Sequence, residues 1–295
     1  MKLHGAEVVD TFAEAFPMWG ARVLITAATP GWALEASRSM TGFATSVIGC
    51  KCEAGIEREL APDETPDGRP GVSTLLFAMD REGVGKRLVE RVGQCVLTSP
   101  TAACFNGVDA QDTVDVGGQL RFFGDGYQAS KVLDGRRYWR VPVMEGEFLV
   151  QERFGVVEGV AGGNIIMLGR AAASALRAAE AAAGAMRSVE GVIMPFPGGI
   201  ARSGSKVGSR YSALPASTNH VLCPTLRDQV EHTEVPPDVE SVFEIVIDGL
   251  ALEPVREAMR RGLVAAAEAG ASHVTAGNYG GSLGPFHIHL RELMP

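Results

Sequence analysis

Cysteine is scarce in this chain of 295 residues, and its count is odd: 5, at Cys50, Cys52, Cys95, Cys104 and Cys223. An odd count with no secretion-type leader excludes a disulfide framework and points to reduced thiols in a cytoplasm. Cys50-x-Cys52 is the only close pair, and no second pair follows it at zinc-finger spacing. These thiols are therefore expected in core or loop positions. Basic residues are also short, with 27 Lys+Arg against 35 Asp+Glu and a net charge of −8. That balance argues against a nucleic-acid backbone as the main partner. No apolar run approaches the ~18 residues of a membrane span. The opening Met1-Lys2-Leu3-His4-Gly5-Ala6-Glu7 has no signal-peptide h-region. What is abundant is apolar residues, at 46%, and glycine, at 36 residues. The expectation is a globular protein with an ample core and many special turns.

The chain repeats itself. Arg22–Ala27 reads as a strand, and a helix follows over about Gly31–Met40. Thr45–Gly49 reads as a second strand and leads to Gly55-Ile56. In the second half Asn164–Gly169 is a strand, Ala171–Arg187 an Ala-rich helix and Gly191–Phe196 a strand. That unit leads to Gly198-Gly199-Ile200. Further on, Val72–Asp80 and Val242–Asp248 are apolar strands ending in an acid. The helices after them place Val84, Leu88, Val92 and Cys95, or Val255, Met259, Leu263 and Ala266, at i, i+4, i+8, i+11. Each half thus reads β-α-β twice. The expected fold class is α+β: two tandem ferredoxin-like, split-βαβ lobes with antiparallel sheets and long inserted loops. The expected lobes are residues 1–144 and 145–295. One insertion is expected to be a hairpin of Gln119–Phe123 and Arg137–Val141, turning through Gly124-Asp125-Gly126-Tyr127. The long Gly/Ser/Pro-rich segment 201–238 is expected to carry function.

Aligning Asp80 with Asp248 sets Glu244 opposite Leu76. A carboxylate then stands in the middle of an otherwise apolar strand. Ionised and buried it would cost several kcal/mol by order of magnitude, so the expectation is a raised pKa. A neutral carboxyl in a dry site can donate a proton. By the pleat, Phe243, Ile245 and Ile247 meet the helices. Val242, Glu244 and Val246 face the other way, towards a second lobe or another subunit. The competing reading is a solvated or ion-paired structural glutamate.

Gly204-Ser205-Lys206 nearly spells a phosphate loop, but Walker A needs Gly-Lys-Ser/Thr, and no Walker B pattern follows. A backbone-lined pocket with Lys206 and nearby hydroxyls is the alternative, beside a plain surface loop. His287-Ile288-His289 alternates with apolar residues, so both histidines share one face of a strand. They suit either a metal or an ordinary polar face.

Several motifs in one order carry a resemblance: Asp10–Phe16, Ala21–Ala27, Glu64–Val72, Gly93–Val96, Phe122–Gln128, Gly159–Asn164, Pro195–Ile200, Ser205–Ser209, Leu214–Asn219, Glu244–Ile247 and Ala276–Gly281. Over essentially its full length the chain resembles formylmethanofuran:tetrahydromethanopterin formyltransferase. The resemblance implies two related α/β lobes. It implies transfer of a formyl group between the amine of methanofuran and N5 of tetrahydromethanopterin, with no metal and no bound prosthetic group. The family's catalytic glutamate falls on Glu244. The candidate substrate-binding residues within these motifs are Gln94, Asp125, Tyr127, Asn164, Gly198, Gly199, Lys206, Ser217, Thr218 and Asn219.

The Ala/Arg-rich helices suggest a bacterial member. In methylotrophic bacteria a relative is implied to be a subunit of a formyltransferase/hydrolase complex. Expected partners are therefore the two coenzymes, further copies of the chain and other subunits of such a complex, with no nucleic acid and no membrane. The expected mechanism has neutral Glu244 protonating the oxyanion or the leaving nitrogen, with backbone N–H groups of Gly198-Gly199 or the Asn219 amide completing the hole. Two rival readings are a metal-dependent formamide hydrolase using His287 and His289, and a non-catalytic coenzyme-binding subunit.

Overall fold

A computed structural model describes residues 1–295. The fold is α+β. No helix is long and apolar enough to cross a membrane, and all five cysteines are free. The chain forms two compact units: Met18–Gly159, and Met1–Pro17 together with Val160–Pro295. The compact units thus differ from a linear division at 144, because the first residues pack with the second half. The Phe286–His289 strand pairs antiparallel with residues 12–15, and the Ala6–Val8 strand pairs in parallel with His273–Thr275.

In the Met18–Gly159 unit the antiparallel order is Glu53–Leu60, Gly71–Ala78, the end of Phe12–Thr26, then Ala103–Asn106. Helices Pro30–Thr41 and Arg81–Arg91 cover one face. Their starts are set locally: Thr29 accepts from the Trp32 N–H ahead of Pro30, and Asp80 accepts from the Gly83 N–H at 2.7 Å, as N-caps do. Ala36, Met40, Val84, Leu88 and Val92 close on Val23, Ile25 and Leu76.

Three local expectations fail here, each for a local reason. Residues 45–49 are not a strand. Ser46 caps a short helix, Val47–Cys50, which Lys51 ends in the left-handed region at φ 66°; the strand begins at Glu53. Cys50 ends that short helix and Cys52 precedes the strand, so the Cys50-x-Cys52 pair spans a turn. The helix after Asp80 passes into a π-turn, Val92–Val96. Its one-residue lag buries Val96 in place of Cys95. The expected hairpin is displaced. Gly117–Leu120 and Arg121–Gly124 are helical, and the strands are Ala129–Leu133 and Arg136–Val143. Asp134-Gly135 makes the turn, with φ 49° and 75°, the Asp-Gly signature of a two-residue hairpin loop.

In the other unit the antiparallel order is Val192–Ile193, Ser241–Gly249, Val157–Gly169, then His273–Thr275. The sequence of elements and their places in the sheet repeat those of the first unit. The strand expected over Gly191–Phe196 shrinks to its first apolar pair. Helices Ala172–Met186 and Leu252–Glu268 cover one face. Ile165, Met167, Ile245 and Ile247 meet Ala178, Ala182, Val255, Met259 and Leu263 there. The helices approach closely because their facing residues are small; a Cβ at Gly262 would run into the Met186 side chain. The opposite face is covered from within the same unit. The long insertion folds back on it, placing Leu222, Val235 and Val239 against Ile166, Leu168 and Val242.

Candidate functional site

Glu244 lies in mid-strand on that opposite face. Ile166 is its cross-strand neighbour on one side. On the other, its backbone bridges Ala201, donating to the Ala201 carbonyl at 3.0 Å and accepting from the Ala201 N–H at 2.7 Å. This bridge draws the start of the insertion across the edge of Glu244. The result is a cavity of about 150 Å³, lined by Ile166, Ala201, Arg202, Ser203, Gly204, Asn219 and Glu244 among others. Glu244 is half-buried and lines that cavity. Burial alone pushes its carboxyl up to about 7; no cation or hydrogen-bond donor pulls it back. A carboxyl so placed holds a proton near neutrality and can release it to a neighbour.

Tyr279 stands beside it. Its hydroxyl donates to the Ser205 carbonyl at 3.4 Å, next to the cavity-lining Gly204. Burial, and then the charge of Glu244, push the Tyr279 phenol above its usual range. The loop that carries Tyr279 is held from beneath by Glu14, which is 2% exposed. Glu14 Oε2 accepts from the Tyr279 N–H at 2.7 Å and from Gly281 at 3.1 Å, and Oε1 accepts from Gly284 at 2.9 Å and from Leu283. Burial pushes the Glu14 carboxyl up, but the four N–H bonds together hold it below the usual range.

The expected substrate-binding residues divide between the units. Gln94, on the π-turn, and Asp125 and Tyr127, on the turn after Arg121–Gly124, are exposed residues of the Met18–Gly159 unit. The remainder belong to the unit that holds Glu244. Asn219 lines the Glu244 cavity. Lys206 pairs with Ser217 in a two-residue ladder of the insertion, and the Ser217 hydroxyl donates to Gly208 at 2.7 Å. The Thr218 hydroxyl contacts Cys223 Sγ at 3.4 Å. Gly198 and Gly199 form a tight turn with φ 64° and 84°, a conformation that favours glycine. The Gly199 N–H already donates to Phe196 at 2.7 Å, so it is not free for an oxyanion. Asn164 is equally committed. Its Nδ2 donates to Gly162 and Gly277 at 3.1 Å and its Oδ1 accepts from the Gly277 N–H at 2.6 Å. It is a strut joining the strand to the Tyr279 loop.

His287 and His289 do share a strand face. Their rings pack on Phe12, with centroids 4.8 and 5.3 Å away. No cluster of three or more His, Cys, Asp or Glu with metal-binding geometry exists in the chain. The donor set that a metal-dependent hydrolase needs is not assembled.

Sequence reasoning missed Glu14, Tyr279, Arg202 and Ser203 as site residues. Glu14 carried the signal that exposed Glu244, a lone carboxylate in the apolar run Phe12-Ala13-Glu14-Ala15-Phe16. Tyr279 sat inside a recognised motif with nothing local to set it apart.

Comparison with known proteins identifies the family. A family model described as formylmethanofuran-tetrahydromethanopterin formyltransferase matches residues 1–143, and a model of the proximal lobe of the same family matches residues 146–293. The formylmethanofuran–tetrahydromethanopterin formyltransferase of Methylococcus capsulatus is 57% identical, with 100% of each chain covered. One of the subunits of the formyltransferase/hydrolase complex of Methylorubrum extorquens is 52% identical, over 99% of this chain and 97% of that one. Among solved structures, the Methanosarcina barkeri formyltransferase superposes with a TM-score of 0.95 at 50% identity, covering 99% of this chain and 100% of that one. The M. extorquens formyltransferase/hydrolase complex with methylofuran gives 0.96 at 51% identity, covering 99% and 98%. The chain belongs to the formylmethanofuran–tetrahydromethanopterin formyltransferase family.

Proposed function

We infer that the chain is a formyltransferase that moves a formyl group between methanofuran and N5 of tetrahydromethanopterin, with both coenzymes as substrates and no bound cofactor. One observation supports assigning the chemistry to Glu244: a carboxyl pushed up to about 7 by burial alone, lining a cavity that it shares with Arg202, Ser203 and Asn219.

In the transfer, an amine nitrogen attacks the formamide carbon. A new C–N bond forms and the carbonyl electrons move to oxygen. On collapse the old C–N bond breaks and the leaving amine takes a proton, while the attacking nitrogen gives one up. Glu244, protonated at the start, hydrogen-bonds the developing oxyanion or protonates the departing nitrogen, and recovers its proton from the attacking amine. The Asn219 amide, which lines the same cavity, shares the oxyanion in this reading, since the Gly199 N–H is already used. Lys206, Ser217, Thr218 and the Gly198 turn serve coenzyme binding within this unit, and Gln94, Asp125 and Tyr127 are the candidate coenzyme contacts of the Met18–Gly159 unit taken by itself. Positioning two large coenzymes supplies much of the remaining acceleration.

The two units are tandem split-βαβ lobes in this reading, with the sequence repeats spanning 1–144 and 145–295. The shared strand order supports it. The setting is the cytoplasm, in keeping with five free thiols. The chain works as an oligomer of its own copies or as a subunit of a formyltransferase/hydrolase complex, as its M. extorquens relative is. Nucleic acid and membrane are not partners.

The test is an assay of the purified chain with both coenzymes and no added metal. Wild type should transfer the formyl group. Glu244→Gln should fold normally and lose about 10²-fold or more in kcat, the lower range of acid–base contributions. Near-wild-type turnover in Glu244→Gln would remove Glu244 from the chemistry. No transfer by the wild-type chain would favour a non-catalytic subunit.

A further inference from the structure

We propose that Glu14 is a positioning residue of the transfer site and acts through Tyr279: its carboxylate is the template on which residues 279–284 fold, and that fold sets the Tyr279 phenol against Ser205 at the edge of the Glu244 cavity. The proposal rests on the reading that the Glu244 cavity performs the transfer.

The geometry is specific. A single carboxylate gathers four backbone N–H groups from six consecutive residues, each oxygen taking two. Such a loop has no ladder of its own, so its N–H groups need a partner from elsewhere. Glu14 is delivered by the strand register, with His287 as its cross-strand neighbour. The loop's leading end is pinned as well. The Asn278 amide donates to the Thr11 hydroxyl at 3.0 Å and the Phe12 carbonyl at 3.2 Å, and Asn164 holds Gly277. Three fixed points therefore precede or include the Tyr279 backbone. Beyond them only the side chain has freedom, and its hydroxyl reaches the insertion at Ser205. That hydroxyl bond is long, so the phenol can turn from Ser205 to a polar group of a bound coenzyme without breaking a strong interaction. A phenol O–H is a donor, as an oxyanion or carbonyl oxygen in the cavity requires.

Glutamine at position 14 would keep one accepting oxygen and turn an NH₂ group towards two N–H donors. That side of the loop would lose its template, and Tyr279 with it. A misplacement of this kind costs rate even when the fold survives.

The test is a double-mutant cycle in the full chain, with Glu14→Gln, Tyr279→Phe and the pair assayed with both coenzymes. Each single variant should lower kcat by about tenfold, with each KM within about twofold of wild type. The double variant should be no slower than the slower single one, because both changes remove the same group from the site. A purely structural role for Glu14 would instead make the losses multiply, and that outcome overturns the proposal. Wild-type kcat in Tyr279→Phe overturns it too. Where Glu14→Gln does not accumulate as folded protein, Glu14→Asp, whose shorter side chain cannot span both N–H pairs, takes its place and the same outcomes decide. Glu244→Gln run alongside separates the two claims. Full activity there removes the reading on which this one rests. Lost activity there, with Glu14→Gln and Tyr279→Phe unaffected, removes this proposal alone.

Discussion

The strands Gly71–Ala78 and Ser241–Gly249 hold the same place in the two units, yet they treat charge in opposite ways. Every residue of Gly71–Ala78 is buried, with Leu76 at 0% exposure. A buried acid on the neighbouring strand, Glu57, is fully met: Arg22 gives two hydrogen bonds of 2.6 and 2.8 Å and Ser73 gives one of 2.5 Å. Ser241–Gly249 is half-buried along its first half, and Glu244 has burial without compensation. A fold built only for stability resolves a buried acid as the first unit does, by pairing it. An acid left unpaired in the equivalent strand holds its proton, and that is a property the transfer chemistry uses.

The contrast can be broken most severely by moving the acid. Leu76→Glu would place a carboxyl where no cavity, cation or donor awaits it. We expect a loss of about 4 kcal/mol or more in urea unfolding, from lost packing plus an unmet polar group. A loss below about 1 kcal/mol would show that the two strands tolerate charge alike. Arg22→Ala is the next largest. It strips the paired acid of its cation and should cost about 3 kcal/mol, near the low end for a broken buried pair.

The reverse change comes third. The folded-state pKa of Glu244 lies above its ordinary value, so its contribution to stability is fully present below about pH 4.5 and is lost as pH rises through about 7. Glu244→Gln removes that loss. The variant should match wild type near pH 4 and exceed it by up to roughly 3 kcal/mol near pH 8. A constant difference across that range would contradict an elevated carboxyl. By the same sign, wild-type transfer that needs the protonated acid should decline as pH climbs past 7.

The smallest effect belongs to an acid of the ordinary kind. Hydrogen bonds from Arg260 and Arg261 hold Glu257 down to about 2, but the group sits at the surface, with side chains 34% to 44% exposed. Glu257→Ala should cost under about 1 kcal/mol, and less in high salt.

Much of this was legible in the sequence wherever the signal was local. Helix Leu252–Glu268 buries Val255, Met259, Leu263 and Ala266 as its period requires. Glu244 was visible because a single charge interrupts an apolar strand. The π-turn was not legible, because one inserted residue leaves the apolar period intact up to Val92 and shifts it only afterwards. Asp134-Gly135 carries a legible hairpin signal, but Gly124-Asp125-Gly126 offers the same turn chemistry a few residues earlier and competes with it. The clamp between Glu14 and Tyr279 joins residues 265 apart. No periodicity reaches that far; the register of Phe286–His289 on residues 12–15 and the pairing of Ala6–Val8 with His273–Thr275 bring them together.

The central claim is that Glu244 titrates near neutrality and so still holds its proton in a large share of molecules at pH 7, and carbon-13 NMR reads this directly. The chain, labelled at the glutamate side-chain carboxyl, is titrated beside Glu244→Gln, and the resonance missing from the variant is followed. The account predicts a midpoint near 7 for that one carboxyl. A midpoint near the ordinary glutamate value, about 4.3, would contradict it.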